Sequence, residues 1–416
     1  MNTLFKTILV GTSVVVSLEA VTLKELINNT LQNNNNLKAN NYTQKAKKKS
    51  FESLKNIYAP KILVGASYNR LDLDVRNSQV INTSSAFAKF SVNIYDGGKN
   101  KSLKKASLYQ YNAQKFQNIT DTKQTILSLI TLYFNLKTIQ ENIKVYEEKS
   151  IALKAQYERI KTKYKEKMTT IDEVLKLKSE YESNLYTIEE LKYQKEDITK
   201  NIELLSGIKV DKLETSNIPN LKVVYNETSD IKSLEENLKA TKENVNVLKS
   251  NKKPQIKLED TLSLYGYSDY NKKLLSDLPD KQNQLNITLT YNIFDTSSKS
   301  QTESAKLLKL AIANKLAFAK AKAKTEFELA KRKLKTQKLK LKSLKSAVQM
   351  ANSVYEAIKN KYENGVVDNV TYLDALSKKI YYLALYKQAL NELEIAKANL
   401  YFKSGQDYKQ VLKNWK

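Results

Sequence analysis

The sequence contains no cysteine and no histidine among its 416 residues. Without them the chain has no disulfide, no thiolate nucleophile, no imidazole general base and none of the commonest transition-metal ligands. No Gly-rich phosphate loop and no tight acidic cluster stands out either. These absences predict a protein that is not an enzyme and that carries no cofactor and no metal site.

Glycine and proline are scarce, with 8 and 4 copies respectively, so few residues can interrupt a helix and long helices are expected. Long apolar runs are confined to the N-terminus, where apolar residues from Leu4 to Leu18 precede the small residue Ala20. This pattern predicts a secretory signal peptide over residues 1–20 with cleavage after Ala20. No other stretch approaches about 18 apolar residues, so the mature chain is predicted to have no transmembrane helix.

Acidic residues are too few to balance the basic ones, and the formal net charge is +26. Such an excess can indicate nucleic-acid binding, because lysine and arginine release counterions from phosphates. Only Arg70, Arg76, Arg159 and Arg332 are arginines, however, and bidentate recognition of bases and phosphates favours arginine. The lysines are scattered among Asn and Ile, a bias typical of an AT-rich genome. The sequence therefore predicts no nucleic-acid partner.

The chain contains two similar halves. Three residues recur at a constant offset of 198 positions: Tyr157, Tyr164 and Gly207 return as Tyr355, Tyr362 and Gly405. Internal repeats of this kind constrain architecture strongly. Two similar halves of this size predict a pseudo-symmetric wall or tube.

Each half is predicted to hold an opening helix, two strands, a very long helix and a return helix. The first repeat covers 21–207, with an opening helix at about 22–57, strands at about 61–72 and 87–95, a long helix at 99–164 and a return helix at 171–206. The second covers 229–405, with an opening helix at about 229–251, strands at about 255–267 and 285–294, a long helix at 299–362 and a return helix at 370–404. A linker at 208–228 joins the repeats, and 406–416 form a C-terminal tail.

The strands alternate apolar and polar residues, which is typical of strands with one apolar face. Four strands are too few to close a barrel, since small closed barrels need about eight. Either they pack on a soluble core or several chains pool their strands. The long helices carry heptad seams, from Leu129 to Tyr164 and from Phe327 to Tyr362, and about 65 helical residues would reach about 100 Å. A filamentous coiled-coil protein would explain the heptads but would leave the strands without a purpose.

Several punctuating residues mark the boundaries between the predicted elements. They are Pro60 and Pro254 before the first strand of each pair, Asp96-Gly97-Gly98 and Phe294-Asp295 after the strands, and Tyr362-Glu363-Asn364-Gly365 followed by Leu373-Asp374-Ala375. With the signal peptide, this set resembles the TolC-like outer-membrane efflux protein family over essentially the whole mature chain. The resemblance implies an α+β membrane protein: a homotrimer whose four strands per chain form a twelve-stranded outer-membrane β-barrel, continuous with a long α-helical coiled-coil barrel in the periplasm.

The implied function is that of an outer-membrane channel in a tripartite efflux or type I secretion system. Its partners would be a periplasmic adaptor, an inner-membrane pump and outer-membrane lipid, and it would project from the outer membrane into the periplasm. Drug, metal and protein cargo all stay open. One alternative is a periplasmic or surface coiled-coil structural protein. Another is a periplasmic adaptor, which would need a β-rich domain with many Gly and Pro turns that this composition lacks.

The resemblance also implies gate residues at the periplasmic helix ends. Glu173 and Tyr362 match an acid and a tyrosine that link neighbouring helices, and Asp374 matches one of two acids that ring the pore. Val367 stands where the family has an arginine, and Thr371 replaces the other ring acid. We therefore expect fewer gate links and a weaker cation-binding ring. Loss of the Glu173–Tyr362 hydrogen bond is expected to raise the conductance of the channel.

Two helix tips match the surfaces on which adaptors dock in this family. The matching residues are Lys167 and Met168 in the first half and Gly365 and Val366 in the second. Lys167 departs from the glycine of the family, which makes the first contact a weaker expectation than the second. The lipidated N-terminal cysteine of many relatives has no counterpart, since the chain has no cysteine.

Overall fold

The structure, a computed structural model, describes residues 20–72, 78–220 and 222–407. The predicted signal peptide up to residue 19, and residues 408–416 of the predicted tail, lie outside the described residues. Within the described ranges, no helix combines the length and the apolar character that crossing a membrane requires.

The described residues form seven helices and a four-stranded sheet. In chain order the elements are α1 Leu23–Asn33, α2 Asn35–Ser53, β1 Lys61–Arg70, β2 Asn82–Tyr95, α3 Lys99–Lys165, α4 Ile171–Ser206, α5 Ser229–Ser250, β3 Gln255–Ser268, β4 Lys281–Thr290, α6 Thr296–Glu363 and α7 Asn369–Lys403. This is an α+β fold whose helices and strands follow the order expected from the sequence.

The opening helix of the first repeat is divided, whereas the sequence predicted one continuous helix at about 22–57. The break falls at Asn34, whose ψ of 118° leaves the helical region. Its side-chain oxygen accepts hydrogen bonds from the backbone N–H groups of Asn36 and Leu37, at 3.0 and 3.1 Å, and so caps α2. Its side-chain N–H donates to the carbonyl of Leu205, at 3.0 Å. A long-range contact therefore fixes a break that local propensity does not show.

The chain forms two compact units, and both units draw on both repeats. The first unit comprises the described residues up to Lys38, those within Asp121–Thr228, and those from Ala323 onward. The second comprises Ala39–Thr120 and Ser229–Lys322. Each long helix is thus shared between the units.

The second unit contains the sheet, in which β1, β2, β3 and β4 pair antiparallel in that order. The central strand β2 begins at Asn82, five residues before the predicted start, because Arg70 and Ser268 pair with it there on both sides. The end strand β4 lies four residues earlier than predicted. Its partner β3 starts at Gln255, opposite Thr290, so no strand is left to pair with the apolar residues after Thr290.

Asp96 fixes the turn from β2 into α3. Its two carboxylate oxygens accept hydrogen bonds from the backbone N–H groups of Gly98, at 3.0 Å, and Asn100, at 2.8 Å. Tyr58 donates its hydroxyl to the same carboxylate at 3.3 Å. Gly97 has φ of 68°, and a Cβ there would lie 2.9 Å from the carbonyl oxygen of Ser250, so both conformation and space require glycine.

The first unit has its main core where α1, α3 and α4 meet. Its largest fully buried side chains are Leu23, Leu26, Ile27, Ile126, Leu129, Ile130, Tyr133, Phe134, Leu136 and Ile202. A second cluster fills the space between the helices near their tips, and it contains Leu153, Ile160, Leu177, Tyr355, Tyr362 and Tyr372. Several residues of both heptad seams therefore lie in these cores.

Away from the tips, contacts between the helices of the first unit run in the order α4, α3, α7, α6. Asn184 of α4 donates to the carbonyl of Tyr146 of α3 at 3.0 Å. Asn391 of α7 donates to the hydroxyl of Thr138 of α3 at 2.9 Å. Lys340 of α6 pairs with Glu392 of α7 at 2.7 Å. The helices α4 and α6 consequently stand at the two ends of this series.

Candidate functional site

The turns that follow α3 and α6 have the same backbone geometry. In the first turn, the N–H of Lys167 donates to the carbonyl of Tyr164 at 2.9 Å and the N–H of Met168 to that of Lys163 at 2.8 Å. In the second, Gly365 donates to Tyr362 at 3.1 Å and Val366 to Lys361 at 2.8 Å. All four positions differ by 198. Both tips are thus Schellman motifs, and the internal repeat extends to hydrogen-bond detail.

Lys167 adopts the left-handed conformation that its counterpart Gly365 adopts, with φ of 58° against 75°. A side chain makes this conformation cost roughly 1–2 kcal/mol, a cost that glycine does not have. The residues that follow, Met168 and Val366, are 68% and 70% exposed. The four predicted docking residues therefore lie on two exposed turns, each with an apolar side chain at its end.

Asp368 begins α7 directly after the second turn. Its carboxylate accepts a hydrogen bond from the backbone N–H of Thr371 at 2.8 Å. The hydrogen bonds from Thr371 hold the pKa of Asp368 below its ordinary value. Thr371, at the place where the family has a ring acid, thus serves the cap of α7.

Tyr362 is the centre of a group of polar and aromatic side chains above the tips, in which the three tyrosines are buried and Arg159 is exposed. Its hydroxyl donates to the side-chain oxygen of Gln156 on α3 at 3.1 Å. Its ring stacks on that of Tyr372, with centroids 4.8 Å apart, and the guanidinium of Arg159 lies 5.1 Å from the ring centroid. The hydroxyls of Tyr372 and Tyr355 lie 3.3 Å apart. This group joins α3, α6 and α7, and we call these five residues the tyrosine cluster.

Glu173 and Asp374 make other contacts than the predicted gate links. The Glu173 carboxylate accepts a hydrogen bond from the hydroxyl of Thr169 at 3.1 Å. Tyr362 donates its single O–H to Gln156 of the same chain, in place of the predicted hydrogen bond to Glu173. Asp374 forms an exposed ion pair with Lys378, one turn along α7, at 2.7 Å. Of the three predicted gate residues, only Tyr362 lies in the tyrosine cluster.

Burial raises the pKa of two tyrosines of this cluster, Tyr355 and Tyr362. It raises the pKa of Tyr355, as does the hydrogen bond with Tyr372. Burial also raises the pKa of Tyr362, and the positive charge of Arg159 offsets part of this rise. Both hydroxyls are therefore neutral hydrogen-bonding groups over the physiological pH range.

Sequence reasoning missed Gln156, Arg159 and Tyr372 as members of this cluster, and it identified Tyr355 only as a residue of the heptad seam. One signal was present: arginine is rare in this lysine-rich chain, and Arg159 adjoins Ile160, a residue of the heptad seam. A guanidinium stacks on an aromatic ring better than an ammonium does. Tyr372 offered no comparable signal, because its counterpart 198 residues earlier is Val174.

The sheet of the second unit has one apolar and one polar face. Strand register places the following residues on the apolar face: Ile62, Val64, Ala66, Ala86, Ala88, Phe90, Val92, Ile256, Leu258, Leu262, Leu264, Leu285, Ile287 and Leu289. Asp260 shares this face, opposite Phe90 and Leu285. On the other face, Glu259 pairs with Lys89 and Lys257, at 2.7 and 2.9 Å. Many of the apolar side chains are exposed, among them Ile62, Val64 and Ile287.

Comparison with known proteins shows what this chain is similar to. Residues 26–207 match the family described as outer membrane efflux protein. No curated protein sequence matches the chain. The fold is similar to the Campylobacter jejuni CmeC outer membrane channel, with TM-score 0.84 and 19% identity over 94% of this chain and 89% of that one. It is also similar to a membrane protein from Pseudomonas aeruginosa, with TM-score 0.81 and 18% identity over 93% of this chain and 91% of that one. A third similar structure is the outer membrane protein VceC from Vibrio cholerae, with TM-score 0.79 and 14% identity over 93% of this chain and 96% of that one. The resemblance predicted from the sequence is confirmed.

Proposed function

We infer from the family match and the shared fold that this chain is the outer-membrane channel of a tripartite efflux system. The alternative is that the same channel exports proteins as part of a type I secretion system. In either case an inner-membrane pump supplies the energy and a periplasmic adaptor connects pump and channel. The channel itself guides cargo and catalyses no reaction.

The observation that carries this proposal is the amphipathic sheet. An exposed apolar face is unfavourable in water but suits contact with lipid. The sheet also ends in β1 and β4, and within lipid every strand edge needs a partner. Three copies, each adding four strands, would close a twelve-stranded β-barrel in the outer membrane and bring their long helices together as a periplasmic tunnel.

The two helix tips are the proposed adaptor contact, since they expose Met168 and Val366 beside turns of fixed geometry. Lys167 and Gly365 set the backbone of these turns. The tyrosine cluster above them joins three helices and is the proposed gate lock. Glu173 and Asp374, which lie outside the cluster contacts, take only a secondary part in it.

Reconstitution tests the channel directly. Outer membranes extracted with detergent should yield a heat-modifiable trimer, and the purified trimer should conduct ions across a planar bilayer. A periplasmic or surface coiled-coil structural protein would instead be released by osmotic shock, or would fail to conduct. Release of a water-soluble monomer would overturn the proposal.

Variants of the tips test the adaptor contact. Met168→Asp combined with Val366→Asp should abolish export, measured as drug sensitivity of cells, while leaving trimer and conductance intact. Ile151→Asp is the matched control, because Ile151 is equally exposed but lies on α3 away from the turn. Unchanged export in the tip variant would remove the tips from the adaptor contact.

A further inference from the structure

The helix α4 is acidic in a chain that is otherwise strongly basic. It carries nine acidic and five basic residues, a net charge of −4, against +26 for the whole chain. Three of its acids are spaced by seven residues, at Glu189, Glu196 and Glu203. Its large apolar side chains include Tyr193, which is 70% exposed, and Leu204, which is 78% exposed. The exposed side of α4 thus combines heptad-spaced acids with apolar side chains.

The part of α6 in the same unit has the opposite charge. Residues 323–363 carry eleven basic and four acidic residues, a net charge of +7. Lys331, Lys338 and Lys345 are spaced by seven, are exposed, and form no ion pair within the described part of the chain. Leu329 and Leu339 are 61% and 60% exposed. Together with Lys331 and Lys338 they line an open groove of about 1040 Å³.

The helix contacts of the first unit show which residues of α4 and α6 stand at the same height, that is, at the same position along the helix axes. Asn184 is level with Tyr146, and Thr138, eight residues earlier on α3, is level with Asn391. Since Glu392 is level with Lys340, Asn184 stands at the height of about Gln349. The two helices run in opposite directions. A residue a given number of positions after Asn184 on α4 is therefore level with the residue the same number of positions before Gln349 on α6.

At these heights the two exposed sides are complementary. Glu189, Glu196 and Glu203 stand within about one residue of Lys345, Lys338 and Lys331. Tyr193 stands in the same way beside Leu339. One residue is about 1.5 Å along a helix, which is within the reach of these side chains. The charges therefore match over two heptads, with one apolar pair between them.

We propose that α4 of one copy packs against α6 of the next copy, with Glu189 and Glu196 facing Lys345 and Lys338, and Tyr193 facing Leu339. The inference rests on the proposed function, which requires a ring of copies, and it names the two surfaces that meet. Pairing α4 with α4 would oppose acids, and pairing α6 with α6 would oppose lysines. The charges thus favour head-to-tail contacts, the kind that closes a ring.

Engineered cysteines test the contact without background, since the chain has none of its own. In Tyr193→Cys combined with Leu339→Cys, oxidation should produce covalent dimers and trimers that a reductant separates. In Tyr193→Cys combined with Leu329→Cys, the second cysteine lies ten residues away, about 15 Å along the helix, and should give monomers. Leu329 and Leu339 are almost equally exposed, which makes this a matched control.

Charge reversal tests the role of the ion pairs. Glu189→Lys with Glu196→Lys should reduce the trimer fraction about tenfold, because like charges then face each other. Lys338→Glu with Lys345→Glu should do the same. All four changes together should restore the trimer, an outcome that a purely structural role of either helix would not produce. Circular dichroism of each variant checks that the helices persist.

The outcomes separate this inference from the proposed function. A native trimer that conducts, but in which Tyr193→Cys and Leu339→Cys give no intermolecular disulfide, overturns the inference alone. The inference is also overturned if the variant with all four charges reversed forms no more trimer than either double reversal. A wild-type protein that is monomeric in detergent and does not conduct overturns both.

Discussion

Replacing Lys167 by glycine should stabilise the tip between α3 and α4. Lys167 holds φ of 58°, which costs a residue with a side chain roughly 1–2 kcal/mol. Glycine avoids this cost but loses about 0.5–1 kcal/mol more conformational freedom on folding. The expected net gain is about 0.5–1 kcal/mol. The reverse change, Gly365→Ala, should cost about 1 kcal/mol, and only through conformation, because a Cβ there would have no atom within 4 Å.

Hydrogen exchange of the reconstituted protein can measure both effects. A change of about 1 kcal/mol alters the local opening equilibrium roughly fivefold. The protection of the Met168 amide, which donates to Lys163, should therefore rise two- to fivefold in Lys167→Gly. That of the Val366 amide should fall about fivefold in Gly365→Ala.

Lys165→Gly provides a control with the opposite expected sign. Lys165 is the last residue of α3, where glycine costs about 1 kcal/mol relative to a good helix former. If Lys167→Gly and Lys165→Gly both accelerated exchange at Met168, the argument from left-handed conformation would be refuted. Equal protection in wild type and Lys167→Gly would refute the estimated magnitude.

Three further results are expected. Tyr362→Phe removes the hydrogen bond to Gln156, worth about 1 kcal/mol, and should raise single-channel conductance, whereas Glu173→Gln should change it little because Glu173 contacts Thr169. The environment that raises the pKa of Tyr355 stabilises the folded state fully below about pH 10, and this stabilisation is lost as the pH rises through the pKa of the folded state. Tyrosinate absorbance compared with that of Tyr355→Phe should therefore show one tyrosine that titrates above pH 10. Asp96→Ala removes two backbone hydrogen bonds and should lower the stability of the proposed trimer by about 1–2 kcal/mol, seen as a lower dissociation temperature on gels, while an unshifted temperature would contradict this role.

Sequence periodicity was enough to locate the long helices, because a heptad seam fixes both the length and the buried side of a helix. It was less informative about where strands end. Alternation continues past Thr290 to Ile293, yet β4 stops at Thr290 because Gln255, its last partner, begins β3 directly after Pro254. Strand ends depend on a partner strand, which local pattern does not contain.

The site was predicted only in part for a related reason. Tyr362 was predicted as a gate residue, but its hydrogen-bond partner Gln156 is 206 positions away. Whether Tyr362 contacts Gln156 or Glu173 depends on how the helices are rotated and how far they are shifted along their axes. The left-handed conformation of Lys167 was equally hidden, since lysine gives no signal for it. The shared hydrogen bonds of the two tips, not their residue types, preserve the repeat there.

The division of each repeat between two compact units has a consequence for biogenesis. The first unit draws on residues from Leu23 to Lys403, so its packing is complete only when almost the entire polypeptide is available. Until α7 is available, the apolar side of α6 that packs against it stays uncovered and is prone to aggregate. Maturation of this protein is thus expected to depend on periplasmic chaperones that hold the nascent chain.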